Sequence, residues 1–266
     1  RNVMSVVSEL DNIIAILESS IPANPNAPAN QRQARKLERE LAKYFDKLEQ
    51  AFPYSRLDKI YNQYVQESIG GESDKILDPI LATFDETLTT EINGQLVETY
   101  MSGQAEMITW GKTKAGVPIA YEGPPIQGAI DWAEKHGATL VKGMNEETKK
   151  RLASTISQGI ENKRGIPGLS KDIKNTFTDM SKHRSELIAR TETAKALSEA
   201  SLDTMEDMGI DGKEWVTAGD DLVSDECSGN EAEGVIPVNQ AFSGGVMAPP
   251  QHPDCRCVIA PAILKR

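Results

Sequence analysis

Four residues near the end of the chain have side chains suited to holding a metal. The cysteines are Cys227, Cys255 and Cys257, all within the last 40 residues, and His252 stands three positions before Cys255. Three thiolates and an imidazole suit a closed tetrahedral zinc site. In an extended segment Cys255 and Cys257 point to the same face, which favours a shared ion. The spacing is C-x-C rather than C-x2-C, however, and Pro253 limits how His252 turns back. Two other readings stand beside zinc. The cysteines can serve as small buried hydrophobes while His252 holds the turn by hydrogen bonds, or two of them can pair as a disulfide. An odd, clustered set argues against a disulfide scaffold.

A second set lies upstream, in Ile188-Ala189-Arg190-Thr191-Glu192, followed by Trp215 and by Asp220-Asp221. On a helix, residues two apart face different directions, so Arg190 and Glu192 do not converge on one substrate. A structural role is expected instead, with Arg190 in a bidentate ion pair with Asp220 or Asp221 that staples its helix to a small sheet. If buried, such a pair would cost roughly 3–5 kcal/mol to break. Asp220, Asp221, Asp225 and Glu226 lack the spacing of a calcium loop and read as a solvated acidic stretch. Lys149, Lys150, Arg151, Lys163 and Arg164 are candidates for contact with DNA. They have no interleaved aromatics and belong to no recognition motif, so a solvated helix face is the better-supported reading. His136 and His183 are isolated and carry no assignment.

These residues must be positioned by mostly helical elements. Val3, Val6, Leu10, Ile13 and Leu17 recur at helical spacing. The segment 20–30, with Pro22, Pro25 and Pro28, reads as a linker. Further helices are expected over Leu37–Phe52, Leu57–Val65, Ile76–Leu88 and Ile92–Met101. Gly and Pro cluster between 111 and 128, and a domain boundary is placed there. Beyond it a short helix from Ile126 should end near His136-Gly137, and Asn145 should cap the next, which runs to about Asn162. Ser170 should cap another that ends near Met180, and a long helix should follow, closed by Gly209. Strands are expected at 214–217, 235–238 and 257–260. The fold class is thus α+β, predominantly α. Residues 1–120 form a helical docking or oligomerisation region, and 121–266 a helical domain ending in a small β-sheet.

Composition narrows the function. Of 266 residues 39% are hydrophobic and 26% charged, which argues against disorder throughout. Aromatics are only 5%, as expected of aliphatic helix packing. Mean hydropathy is −0.42, and no run approaches the roughly 18 apolar residues of a membrane span. No secretory signal is visible at the start. The formal net charge is −11, from 29 bases and 40 acids, which argues against a general nucleic-acid coat. That charge is uneven. Residues 199–233 hold twelve acids against Lys213, while 142–195 hold twelve bases against seven acids.

The order of these motifs is more specific than any one of them. Arg190-Thr191-Glu192, then Trp215 with Asp220-Asp221 and Cys227, then Pro249-Pro250-Gln251-His252-Pro253-Asp254-Cys255-Arg256-Cys257 resembles the phage Mu-type minor head protein, or head-morphogenesis, family over roughly residues 125–262. The resemblance implies a minor head protein of a tailed bacteriophage, associated with portal or major capsid proteins during assembly. It implies location in the virion head near the portal, and in host cytoplasm during assembly. The alternative is an internal head protein that binds packaged DNA and is delivered with it. Neither reading involves a membrane, and the N-terminal helices offer a means of oligomerisation. An enzyme, such as a zinc hydrolase, would need a general base, and none accompanies the cluster. Many family members have a second cysteine three residues after the first. Here that position is Asn230.

Overall fold

The computed structural model describes residues 21–66 and 72–264. The helix expected over Val3–Leu17 lies outside them. The described chain runs α1 (Pro28–Ala51), a 3-10 turn (Tyr54–Arg56), α2 (Leu57–Gln66), α3 (Glu72–Lys114), α4 (Ile126–Glu161) and α5 (Ile166–Asp179). A π-helical turn (Met180–Arg184) then leads into α6 (Ser185–Asp207), β1 (Gly212–Val216), α7 (Asp225–Ala232), β2 (Val235–Pro237) and β3 (Val258–Ala262). The class is α+β with helices predominating, as expected. No helix among the described residues is long and apolar enough to cross a membrane.

The helices are longer than the sequence pattern suggests. The two expected over 76–101 are one helix, α3, of 43 residues. Asn93-Gly94 would favour a turn, but Leu88, Ile92, Leu96 and Tyr100 form an unbroken buried stripe across it, and burial outweighs local propensity. The two helices expected on either side of Gly137 are likewise one, α4. Gly137 does not end it. A Cβ there would lie 1.9 Å from the Asn93 side-chain amide. That amide donates to the Ala133 carbonyl at 2.9 Å, so the glycine lets α3 and α4 approach closely. Ser170 lies inside α5, whose N-cap is Gly165 with Pro167 in the first turn. Gly209 closes α6 as expected, at φ +72°, with the Ile210 amide bonded to the Met205 carbonyl.

Contacts within the chain define two compact units, neither continuous in sequence. Among the described residues, one falls within 36–95 and 132–189, and the other within 21–35, 96–131 and 190–264. The first is helical throughout its described residues. Leu41, Phe45, Ile92, Leu152, Leu169 and Ile173 are among its buried side chains. Arg184, on the π turn, is buried among them without an ion pair. It donates to Thr148 Oγ1 (2.9 Å) and to the Met144 carbonyl (3.1 Å), and its guanidinium lies over the Phe45 ring. Burial pushes its pKa down to about 10.

The second unit contains the sheet, in the order β2-β1-β3 with both pairings antiparallel. Met107 of α3, Met205 of α6 and Ile259 of β3 pack together on it. A separate cluster of Trp215, Cys227, Ile236, Phe242, Cys255 and Cys257 joins β1, α7, β2 and the segment before β3.

Asn145 lies within α4 and not at its start, so its side chain is free for tertiary bonds. It accepts from Tyr44 Oη at 2.7 Å and donates to Asp85 at 2.7 Å, bridging α1 to α3. Asn145→Ala leaves the hydroxyl of the buried Tyr44 without its acceptor and should cost about 1–3 kcal/mol in denaturant unfolding. Asn145→Ser, adequate for a cap but too short for the bridge, should not restore the midpoint.

Candidate functional site

The site is built around α7 and the long connection between β2 and β3. Ser224 caps α7, its Oγ accepting from the Cys227 amide at 3.2 Å, and Asp225 and Glu226 complement the dipole in the first turn. Cys227 and Asn230, three apart, share the buried face of this short helix. Cys227 Sγ lies 3.5 Å from His252 Nε2 and 3.6 Å from Cys255 Sγ. The three donor atoms all fall within 4.8 Å of one another. All three cysteines are unpaired and buried, so the disulfide alternative is not formed here. Cys257 lies in the same buried cluster but is not one of the three.

His252 turns its Nε2 toward Cys227. Its Nδ1 lies 2.9 Å from the Pro253 carbonyl, which can only accept, so Nδ1 carries the proton and Nε2 keeps a free lone pair toward Cys227. The thiols share charge unequally. Bonding from Cys257 pulls the Cys255 thiol down to about 5, while the same contact and burial raise Cys257. Burial raises Cys227.

Asn230 is fully buried and positions the loop. Its Nδ2 donates to Gln251 Oε1 (3.0 Å), its Oδ1 accepts from the Gly244 amide (2.9 Å), and Gln251 Nε2 donates to the Gly244 carbonyl (3.1 Å). This closed ring holds the residue next to His252. Lys213, which the sequence did not single out, has a related task. It is fully buried on β1, donates to the Met247 carbonyl at 2.7 Å and sits over the Phe242 ring. A lone Lys in an acidic stretch was the only sequence signal for it.

The Arg190 expectation needs correcting. Arg190 Nε pairs with Asp254 at 3.0 Å, and both side chains are nearly half exposed. Asp220 is instead bound bidentately by Arg256, at 2.6 Å to each oxygen, and Asp221 is exposed. Sequence distance hid this partner, because Asp254 reaches Arg190 only through the turn at 252–255. Thr191 adds to the same contact, its Oγ1 accepting from the Asp254 amide at 3.2 Å. Asp254 adopts φ +59°, a conformation aspartate tolerates. Glu192 is buried and pairs with Lys195 at 2.8 Å. The α6 motif and the C-terminal cysteine–histidine motif therefore meet at Asp254.

Residues 146–260 match the family model of Phage Mu protein F like protein. The Mu F-like domain so defined contains every motif residue from Arg190 to Cys257 and bears out the resemblance read from their order. That stretch is thus similar to the Mu F-like family. Neither the curated proteins nor the solved structures compared with the chain gave a match.

Three of the five basic residues singled out as candidates for DNA contact are engaged in ion pairs. Lys149 pairs with Asp78 (2.8 Å), Arg151 with Glu147 (3.0 Å) and Asp179 (3.2 Å), and Arg164 bidentately with Asp172. Lys150 and Lys163 are exposed.

Two outcomes follow. Arg190→Ala should cost no more than about 1 kcal/mol, as for other solvent-exposed pairs, and Asn230→Ala about 1–3 kcal/mol because buried partners lose their bonds; denaturation midpoints in the opposite order would contradict this geometry. Burial lowers the Lys213 pKa from 10.5 to about 8, so between those values the unfolded chain binds more protons and stability rises with pH. Lys213→Met should flatten that rise, measured as unfolding free energy across the window.

Proposed function

We propose that the protein is a minor head protein of a tailed bacteriophage. It acts in head morphogenesis by contacting portal and major capsid proteins, and resides in the virion head near the portal. The observation that carries this reading is the Mu F-like match over 146–260. The junction of Arg190 and Thr191 with Asp254 supports it, because the motif residues serve to hold the module together. The protein works by binding and not by catalysis. Glu192 and Arg190 are both engaged in ion pairs, and the cysteine–histidine donors face one another inside the fold. Zinc is the cofactor that suits them, as a structural ion. The N-terminal region, residues 1–120, docks on the head partner or on further copies of the chain. The pairing of Lys149, Arg151 and Arg164 with neighbouring acids favours this reading over delivery with bound DNA.

Purified virions and procapsids provide the test. Mass spectrometry should find the chain in both, and cross-linking should join it to the portal protein. Particles that never contain the chain would refute the reading. A chain cross-linked only to DNA would favour the internal, genome-delivered alternative.

A further inference from the structure

We propose that the exposed basic face of α1 docks on the acidic face of α7 in a second copy of the chain. This rests on the docking reading above and names the surface and its partner.

The two sides of α1 differ in chemistry. Leu37, Leu41, Tyr44, Phe45, Leu48 and Phe52 are buried, so the apolar side is already used inside the fold. The opposite side carries Arg32, Arg35, Lys36, Arg39, Lys43 and Lys47. At about 100° per residue these bases fall within a sector of about 120° and extend about 22 Å along the axis. Lys36 is half-exposed and the other five are exposed. Lys43 is paired with Glu40 at 2.7 Å, whereas Arg32, Arg35, Arg39 and Lys47 form no ion pair among the described residues. Asp46 is the one acid of residues 32–47 that shares the sector. Free guanidinium groups in a row are suited to forked bonds with carboxylates or phosphates.

The chain itself supplies a surface of complementary charge and shape. Cys227 and Asn230 form the buried face of α7, which turns Asp225, Ser228, Gly229 and Ala232 outward and leaves Glu226 and Glu233 exposed on one flank. A Cβ placed on Gly229 would meet nothing within 4 Å, so the outward face is open at its middle. Asp221 and Leu222 precede the helix in an exposed turn, and Leu222 is 79% exposed. Small residues at the centre let a second helix approach closely. The long side chains of α1 can then reach the flanking carboxylates while their aliphatic stems cover Leu222.

One contact thus accounts for both an uncovered row of bases and an uncovered acidic face with an exposed leucine. A nucleic acid would account only for the first. Each copy is acidic overall, but at ordinary ionic strength charges act over about 8–10 Å, so the local patches govern the contact. The two faces are different surfaces, so the contact is head-to-tail. Repeated from copy to copy, it closes into a ring or extends as a row.

Sedimentation velocity of the full chain provides the test. At about 0.05 M salt the protein should self-associate as its concentration rises, and association should weaken at least about tenfold at about 0.5 M salt. Arg32→Glu, Arg35→Glu and Arg39→Glu combined should leave a monomer, as should Asp221→Lys with Asp225→Lys. All five side chains are exposed, so circular dichroism should show both variants folded. Mixed together, the two variants should associate again, because each keeps one native face. Gly229→Gln changes no charge and has open space in the folded chain, so it should lose association by blocking the close approach. A wild-type chain that stays monomeric at low salt even in concentrated solution would overturn the proposal, and this arm needs no variant to fold. Association that survives either charge reversal or Gly229→Gln would do the same, as would folded variants that stay apart when mixed. Binding of duplex DNA by a monomeric wild-type chain, lost with the three Arg substitutions, would assign the row of bases to nucleic acid instead. Whether virions contain the chain is a separate measurement, so the head-protein reading stands or falls independently of these outcomes.

Discussion

A long irregular connection sets the main physical constraint on the sheet-bearing unit. Residues 238–257 join β2 to β3 with no helix or strand of their own. Connections of this length within a compact unit are uncommon, because their backbone groups lack the regular pairing that helices and sheets supply. Here side chains supply it from outside. Lys213 holds the carbonyl of Met247, Asn230 fixes Gly244 and Gln251, and Thr191 takes the amide of Asp254. Glu233 accepts from the Ser243 amide, and Arg256 reaches Asp220. The cysteine–histidine cluster lies at the centre of these ties, joining the far end of the loop to α7.

This arrangement explains why two short motifs separated by dozens of residues belong together. Arg190 and Thr191 sit at one side of Asp254, and His252, Cys255 and Cys257 surround it in sequence. The individual contacts are modest, since the Arg190–Asp254 pair is open to solvent. Their effect comes from converging on one turn, which also presents His252 to Cys227.

Charge is also used structurally. Of the acids in 199–233, Asp203 accepts from Tyr100 and Asp207 from Tyr121, while Asp211 accepts from the Leu264 amide and Glu231 from Thr217. These bonds and partial burial raise both tyrosines well above their ordinary range. The acidic stretch is thus partly an array of acceptors for its own unit. Two buried cations, Lys213 and Arg184, are handled differently. Each is held by carbonyl or hydroxyl acceptors and an aromatic face without an ion pair, so each depends on exact placement of neutral groups.

Several features were legible in the residues themselves. Helical periodicity from Leu37 to Phe52, Gly209 as a helix stop, the three short strands and the order of the Mu F-like motifs are all local or sequential properties. Helix continuity was not legible. Asn93-Gly94, Gly137 and Asn145 have the local chemistry of turns and caps, and only the buried stripes of α3 and α4 and the close approach at Gly137 override it. The partner of Arg190, the burial of Lys213 and the role of Asn230 were also invisible, because each depends on how a loop folds back through space. The interleaving of 36–95 with 132–189 in one unit is of the same kind. Sequence by itself determined which residues carry the chemistry and the kind of domain they form. Tertiary structure decided which of them meet, because hydrogen bonds and ion pairs depend on distance in space, and a loop such as 238–257 sets that distance only once its ties have formed.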